Sequence, residues 1–243
     1  MRKLRIMAGL TVLLTVCGRL SAQQPLADTA STAYAVRLYQ QFLYPEKALY
    51  TGRQYLDYRN VLYENHHPFF RSPDFQPGSV YYDGVLYEDI SLQYDIVKNV
   101  IVTWDPYRKY LIELLSAKLD WFTINDTRFV HIRPEAGMRS PVEDGFYRLL
   151  YDGKITVLKK EAKRVVQEID IKRVQRLTEE TPSYYIRKGN AYFPVSNKSS
   201  VLKVLNDQKA ELNQFIRKQN LDFSGEKEKA LAAIAAQYDQ LTR

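Results

Sequence analysis

Cysteine is almost missing from this chain: Cys17 is the only one in 243 residues. That excludes an internal disulfide framework and any zinc site built from cysteines. Glycine is sparse too, with 10 residues, and nowhere forms a phosphate-cradling loop. No serine stands in a Gly-x-Ser-x-Gly elbow. Histidine is limited to His66, His67 and His131. On an extended chain His66 and His67 point to opposite sides and cannot easily share a metal. A scattered hydrolytic site would have to gather His131 with a buried carboxylate or serine in a cleft. The acidic pairs Glu88-Asp89 and Glu143-Asp144 lie beside turn signals, where carboxylates are usually solvated. This inventory predicts no enzyme, no catalytic residues, no metal and no cofactor.

A membrane-length apolar run is also lacking at the N-terminus. Ile6–Val16 is uncharged but only 11 residues long, against about 20 for a spanning helix. Arg2, Lys3 and Arg5 precede it and Leu20-Ser21-Ala22 follows. This is the pattern of an export signal over residues 1–22, cleaved before Gln23. Val16 before Cys17 is a poor lipoprotein context, and cleavage after Ala22 discards Cys17. The expectation is an exported protein, periplasmic or outer-membrane-associated, without a transmembrane span after processing. The formal charge of +7 includes Arg2, Lys3, Arg5 and Arg19; losing those four leaves +3. That is too little for a nucleic-acid footprint.

Tyrosine is abundant: 19 residues, all after position 33. A tyrosine ring packs on a half-buried sheet while its hydroxyl reaches water. Rings left on an open face could instead stack on sugars or peptides, and Tyr81, Tyr82, Tyr87 and Tyr94 are the candidates for that role.

After a small polar leader at 23–33, residues 34–63 mix aromatic and polar residues without a period. They are expected as short extended pieces, broken by Pro45 and Gly52. The clearest pattern follows. Ser79–Tyr82 and Val85–Tyr87 flank Asp83-Gly84, a type I′ hairpin signal. Ile90, Leu92, Tyr94 and Ile96 then alternate with polar residues, predicting a half-buried antiparallel strand. Further strands are expected at Val100–Trp104, Tyr110–Leu115, Leu119–Ile124 and Arg128–Ile132. Two more hairpins are expected around Asp152-Gly153 and Gly189-Asn190. Residues 159–180 fit a helix through Val166, Val174 and Leu177, or an exposed hairpin; the flanking strands favour the hairpin. The tail reads as amphipathic helices at Ser199–Leu205, Lys209–Gln219 and Glu226–Leu241, with Asp207 and Ser224 as caps of the last two.

The run Tyr82-Asp83-Gly84-Val85, with Tyr87, Asp89-Ile90, Leu92 and Tyr94-Asp95, resembles secreted proteins of unknown function from Bacteroidota. Trp121–Ile124 with Arg128–Val130, Tyr184–Ile186 with Tyr192–Val195, and the helix at Lys209–Leu221 extend the resemblance over about Tyr44 to Leu241. It implies a cell-envelope location and brings no activity or site residues.

Together these features predict an α+β fold. Residues 34–198 form an antiparallel meander of about nine to eleven strands, with an open, curved half-barrel as the alternative. Residues 199–243 form two or three helices packed on it within the same domain. The expected function is that of a non-enzymatic envelope accessory protein acting through contacts with another envelope protein. The alternative is a carrier or binder of an apolar or glycan ligand held in the curved sheet.

Overall fold

The computed structural model describes residues 34–35, 45–135, 140–170 and 173–242. The expected signal at 1–22 and leader at 23–33 lie outside the described residues. The chain divides into two compact units, 1–43 and 44–243; the elements below belong to the second.

It is α+β, with an eleven-stranded antiparallel sheet and helices at the C-terminus. A short helix, α1 (Pro45–Leu49), precedes β1 (Arg53–Gln54). Residues 34–63 were expected to be extended. Pro45 opens a helical turn instead, its fixed φ suiting the first position of a helix. The strands β2 (Gln76–Tyr82), β3 (Val85–Asp95), β4 (Val100–Asp105) and β5 (Tyr110–Glu113) form one meander. The chain then returns through 114–118 to lay β6 (Leu119–Ile124) on the free side of β2. A second meander continues with β7 (Thr127–Ile132), β8 (Gly145–Asp152) and β9 (Ile155–Lys160). It is completed by β12 (Ser183–Lys188) and β13 (Ala191–Pro194). The order is β1-β5-β4-β3-β2-β6-β7-β8-β9-β12-β13, and the sheet does not close.

The sheet is strongly curled. From β3 to β8 is four strand steps, about 19 Å across a flat sheet. Yet the ring of Tyr94 on β3 lies 6.1 Å from that of Phe146 on β8. Inside the curl, Phe122 and Phe129 stack at 4.7 Å, and Tyr94 meets them edge-on at 5.3 and 5.2 Å. Val80, Leu92, Ile101 and Ile112 are buried in the same cluster. Alternation turns the aromatic and β-branched residues of each strand to the inner face, and register shifts at Gly78/Val80, Tyr81/Tyr82 and Leu149/Tyr151 bend the strands around them.

Beyond β8 the same face is covered by helices. They are α2 (Lys198–Val204), α3 (Lys209–Lys218) and α4 (Lys227–Leu241). Ile155, Val157 and Ile186 of the sheet meet Leu212, Ile216 and Ile234 of the helices in a second core. Asn197 caps α2 in a reciprocal box with Ser200. Neither expected cap is used. Asp207 instead accepts from Lys188 Nζ and Tyr238 Oη, and the turn before α4 is held by Asp222, which accepts from the N–H groups of Ser224 and Gly225.

The turns differ in kind. Asp83 and Gly84 have φ of 51° and 78°, the type I′ pair that the sequence predicts. Gly153 does not have a positive φ. It is glycine because a Cβ there would overlap Asp239 Oδ2, which accepts from Tyr151 Oη and the Lys154 N–H. The β3–β4 and β4–β5 loops are built alike. Asp95 and Asp105 each accept from the N–H groups two and three residues on, and Asn99 and Lys109 turn back with φ of 59° and 58°.

Residues 159–180 form the hairpin, not the helix. β10 (Lys163–Asp170) and β11 (Arg173–Glu180) pair with each other only. Their register continues that of β9 and β12. Lys160 faces Ser183, Thr181 N–H donates to Ala162 O, and Lys163 faces Glu180. A single long ribbon therefore runs from β9–β12 into β10–β11, interrupted where Pro182 has no N–H to give. Its proximal half is part of the large sheet. Its distal half, about 26 Å at strand rise, leaves it.

Candidate interaction surface

The distal ribbon is mounted on a strap formed by residues 55–73. On β3, Leu92 and Tyr94 face the curl, as the alternation predicts. Gln93 and Asp95 on the other face were expected to be solvated, but they are buried too. The strap covers them, and they are polar because they hold it. Gln93 Nε2 donates to Pro73 O. Asp95 accepts from Tyr55 Oη at 2.9 Å and Tyr58 Oη at 3.0 Å, besides its two loop N–H groups. Lys98 Nζ lies 4.5 and 4.3 Å from the centres of those two rings, so a cation faces the tyrosines that share the carboxylate. Burial, reinforced by Asp95, raises both phenols far above their ordinary range, so both stay protonated donors.

The end of the strap receives the hairpin. Tyr63 N–H donates to Arg176 O at 2.8 Å, and Thr178 N–H donates to His66 Nδ1 at 3.0 Å. His66 Nδ1 must therefore be the unprotonated nitrogen of its ring. Lys163 N–H donates to Ile96 O, and Lys163 Nζ donates to the carbonyls of His67 and Phe69 at 3.2 and 3.0 Å. Burial lowers the Lys163 ammonium below its ordinary value. His67 stacks on Phe69, and burial, with Lys163 nearby, pushes its imidazole down towards neutrality.

These bonds fix which backbone groups of the hairpin are free. Thr178 N–H and Arg176 O point away from β10, so Val165/Thr178 and Gln167/Arg176 are non-hydrogen-bonded pairs. The parity extends to Ile169/Val174. The N–H and C=O groups of Val165, Gln167 and Ile169 thus point out along the far edge of β10. Among the described residues nothing pairs with them. The side chains on this face alternate apolar and polar: Ile169 is 79% exposed, Val174 63% and Val165 39%, with Gln167 and Arg176 exposed between them and Thr178 half-buried against His66.

A second candidate lies between the two cores. Arg148, Glu161, Lys159 and Glu228 form a closed ring of alternating charge. Arg148–Glu161 is 3.2 Å, Glu161–Lys159 2.9 Å, Lys159–Glu228 2.7 Å and Glu228–Arg148 2.8 Å. Burial alone would lower Lys159 and raise Glu228, but their mutual contacts win; Lys159 is held above its ordinary value and Glu228 below. Two cations matched by two anions make a staple between the sheet and the first turn of α4. An open cleft of about 730 Å³ adjoins it, lined by Tyr184, Tyr185, Ser196 and Lys227 among others. Lys159 and Lys227 lie 5.8 and 5.3 Å from the Tyr184 ring centre, so that ring is already occupied by the protein's own cations.

The four candidate tyrosines do not form a platform. Tyr82 and Tyr94 are core residues, 0% and 1% exposed, and cannot stack on a ligand. Tyr87 is half-buried against the core of the curl. Tyr81 alone lies outside the curl, parallel to Trp121 with centroids 5.9 Å apart, and Arg128 sits 4.4 Å from the Trp121 ring. The strand period brings Tyr82 and Tyr94 inward, and for Tyr94 the alternation with Leu92 already points to the core. His131 packs on Phe146, with Nδ1 facing Leu119 O at 2.9 Å and Nε2 facing Asp144 Oδ1 at 3.1 Å. Both nitrogens are engaged, and the Asp144 carboxylate is largely exposed. Sequence reading passed over the β10 edge. Its signal was the β-branched content of Val165, Val166, Ile169 and Val174, at positions also compatible with a helical stripe.

Compared with protein-family models, curated proteins and solved structures, the chain finds no match in any of the three.

Proposed function

We propose that this is a non-enzymatic, exported accessory protein of the cell envelope that acts through protein contacts, with the β10–β11 hairpin as its contact element. The observation that carries the reading is a bare, uncharged strand edge at Val165, Gln167 and Ile169, on an arm held at its base by hydrogen bonds to residues 63–69 and to Ile96. Folded proteins usually blunt such edges with charge, proline or short length. The large sheet follows that rule: β1 has two residues and β13 ends at Pro194. β10 has eight residues; outward-facing Lys163 at its base is bonded to Ile96, the next outward positions, Val165, Gln167 and Ile169, carry no charge, and the charges of Arg164 and Glu168 lie on the opposite face. The envelope setting rests on the N-terminal pattern and on the family resemblance. The carrier alternative gains nothing comparable, because aromatic rings fill the interior of the curl.

The test is cross-linking in native envelopes followed by capture. The wild-type chain is compared with a double variant, Ile169→Asp with Val174→Asp, whose substitutions fall on exposed positions. A partner set lost in the variant supports the reading. Identical capture by wild type, variant and an unrelated exported control contradicts it.

A further inference from the structure

We infer that the free edge of β10 pairs with β10 of a second copy of this chain, antiparallel and centred on Gln167. The inference rests on the hairpin being the contact element and names its partner. The outward positions read apolar, amide, apolar: Val165, Gln167, Ile169. That sequence is close to its own reverse. In an antiparallel pairing about Gln167, Val165 of one copy faces Ile169 of the other, and the two Gln167 side chains face each other. All three residues have both backbone groups directed at the edge, so each facing pair exchanges both N–H···O=C bonds. Any other register with the same parity sets an apolar side chain opposite an amide or slides one off the edge.

Charge supports the same register. On the opposite face of β10 lie Arg164 and Glu168. About the Gln167 centre, each Arg164, which pairs with Glu179 of its own β11 at 2.6 Å, also stands diagonal to Glu168 of the second copy, within reach of long side chains. A parallel pairing would instead set like charges side by side. The joined hairpins make a four-stranded sheet, and Val165, Ile169 and Val174 of both copies share one face of it. The contact is small, so the dimer belongs to the weak, transient class of interfaces. An isolated two-stranded ribbon is marginal in water, and two more strands supply what it lacks.

Sedimentation velocity on the full chain, from micromolar to millimolar concentration, tests this. Two variants accompany the wild type. Gln167→Pro removes an N–H that the β10–β11 ladder does not use, so it blocks the edge while leaving the hairpin paired. Ile169→Lys adds a charge at an exposed position that faces the second copy. The expected result is a wild-type mass that doubles as concentration rises, with both variants remaining monomeric and keeping wild-type circular dichroism. If one variant unfolds, the other still decides. A wild type that stays monomeric at the highest concentration overturns the inference, as does a dimer that persists in a folded variant. If the wild type is monomeric yet captures another envelope protein that Ile169→Lys loses, the edge belongs to that protein. Self-pairing then falls while the contact function stands. If neither variant changes any association, both fall.

Discussion

At the residue scale, Asp95 is the carboxylate that ties the strap's Tyr55 and Tyr58 to the sheet. It is fully buried and takes four donors, two from its own loop and two from the strap. Asp95→Ala should orphan Tyr55 Oη and Tyr58 Oη and cost about 3 kcal/mol, read as a lower denaturant midpoint. Tyr55→Phe should cost about 1 kcal/mol, since one donor is lost and the carboxylate keeps three. The charged ring makes a pH prediction. Glu228 is depressed from its ordinary 4.5, so its contribution is fully present above that value and is lost as pH falls through the folded value. Wild-type urea midpoints should drop between about pH 5 and pH 3 by more than those of Glu228→Gln. Equal drops would show that the ring does not couple to folding.

At the element scale, the hairpin draws its orientation from a few bonds. His66→Ala removes the acceptor for Thr178 N–H and should speed amide exchange at Thr178 while leaving the core strands unchanged. Hydrogen-exchange mass spectrometry separates this local loosening from global unfolding. Strands and helices were legible in the sequence where a period and a punctuating turn coincide. Leu119–Ile124 is one strand as expected, and Asp83-Gly84 turns as its residues demand. The β8–β9 hairpin turns at Asp152-Gly153 as expected, but its glycine admits the Asp239 carboxylate and does not supply a positive φ. Asp207 and Ser224 misled because a capping residue type does not reveal a distant partner such as Lys188 or Tyr238. The interaction surface was illegible for a further reason. Which side of β10 is free depends on where Tyr63 and His66 meet β11, more than 100 residues away in the case of His66 and Thr178.

On the scale of the whole molecule, one face of a curled sheet carries two cores, and the charged ring stands at their junction. The aromatic cluster inside the curl should dominate stability. Phe122→Ala removes a ring that stacks on Phe129 and meets Tyr94 and Phe146 edge-on, and should cost about 3–5 kcal/mol. The order of strands was not legible, because β2 pairs with both β3 and β6. That pairing places a non-sequential neighbour in the sheet, and only the return through 114–118 reveals it. Among the described strands, β10 and β11 lie outside the large sheet, and β10 has its edge bare at Val165, Gln167 and Ile169.

Amide exchange along β10, followed residue by residue by NMR at low protein concentration, tests that geometry most directly. The amides of Arg164, Val166 and Glu168 should be protected by β11, while those of Val165, Gln167 and Ile169 exchange fast. Uniform protection along the strand, or uniform loss of it, would contradict a hairpin with one free edge.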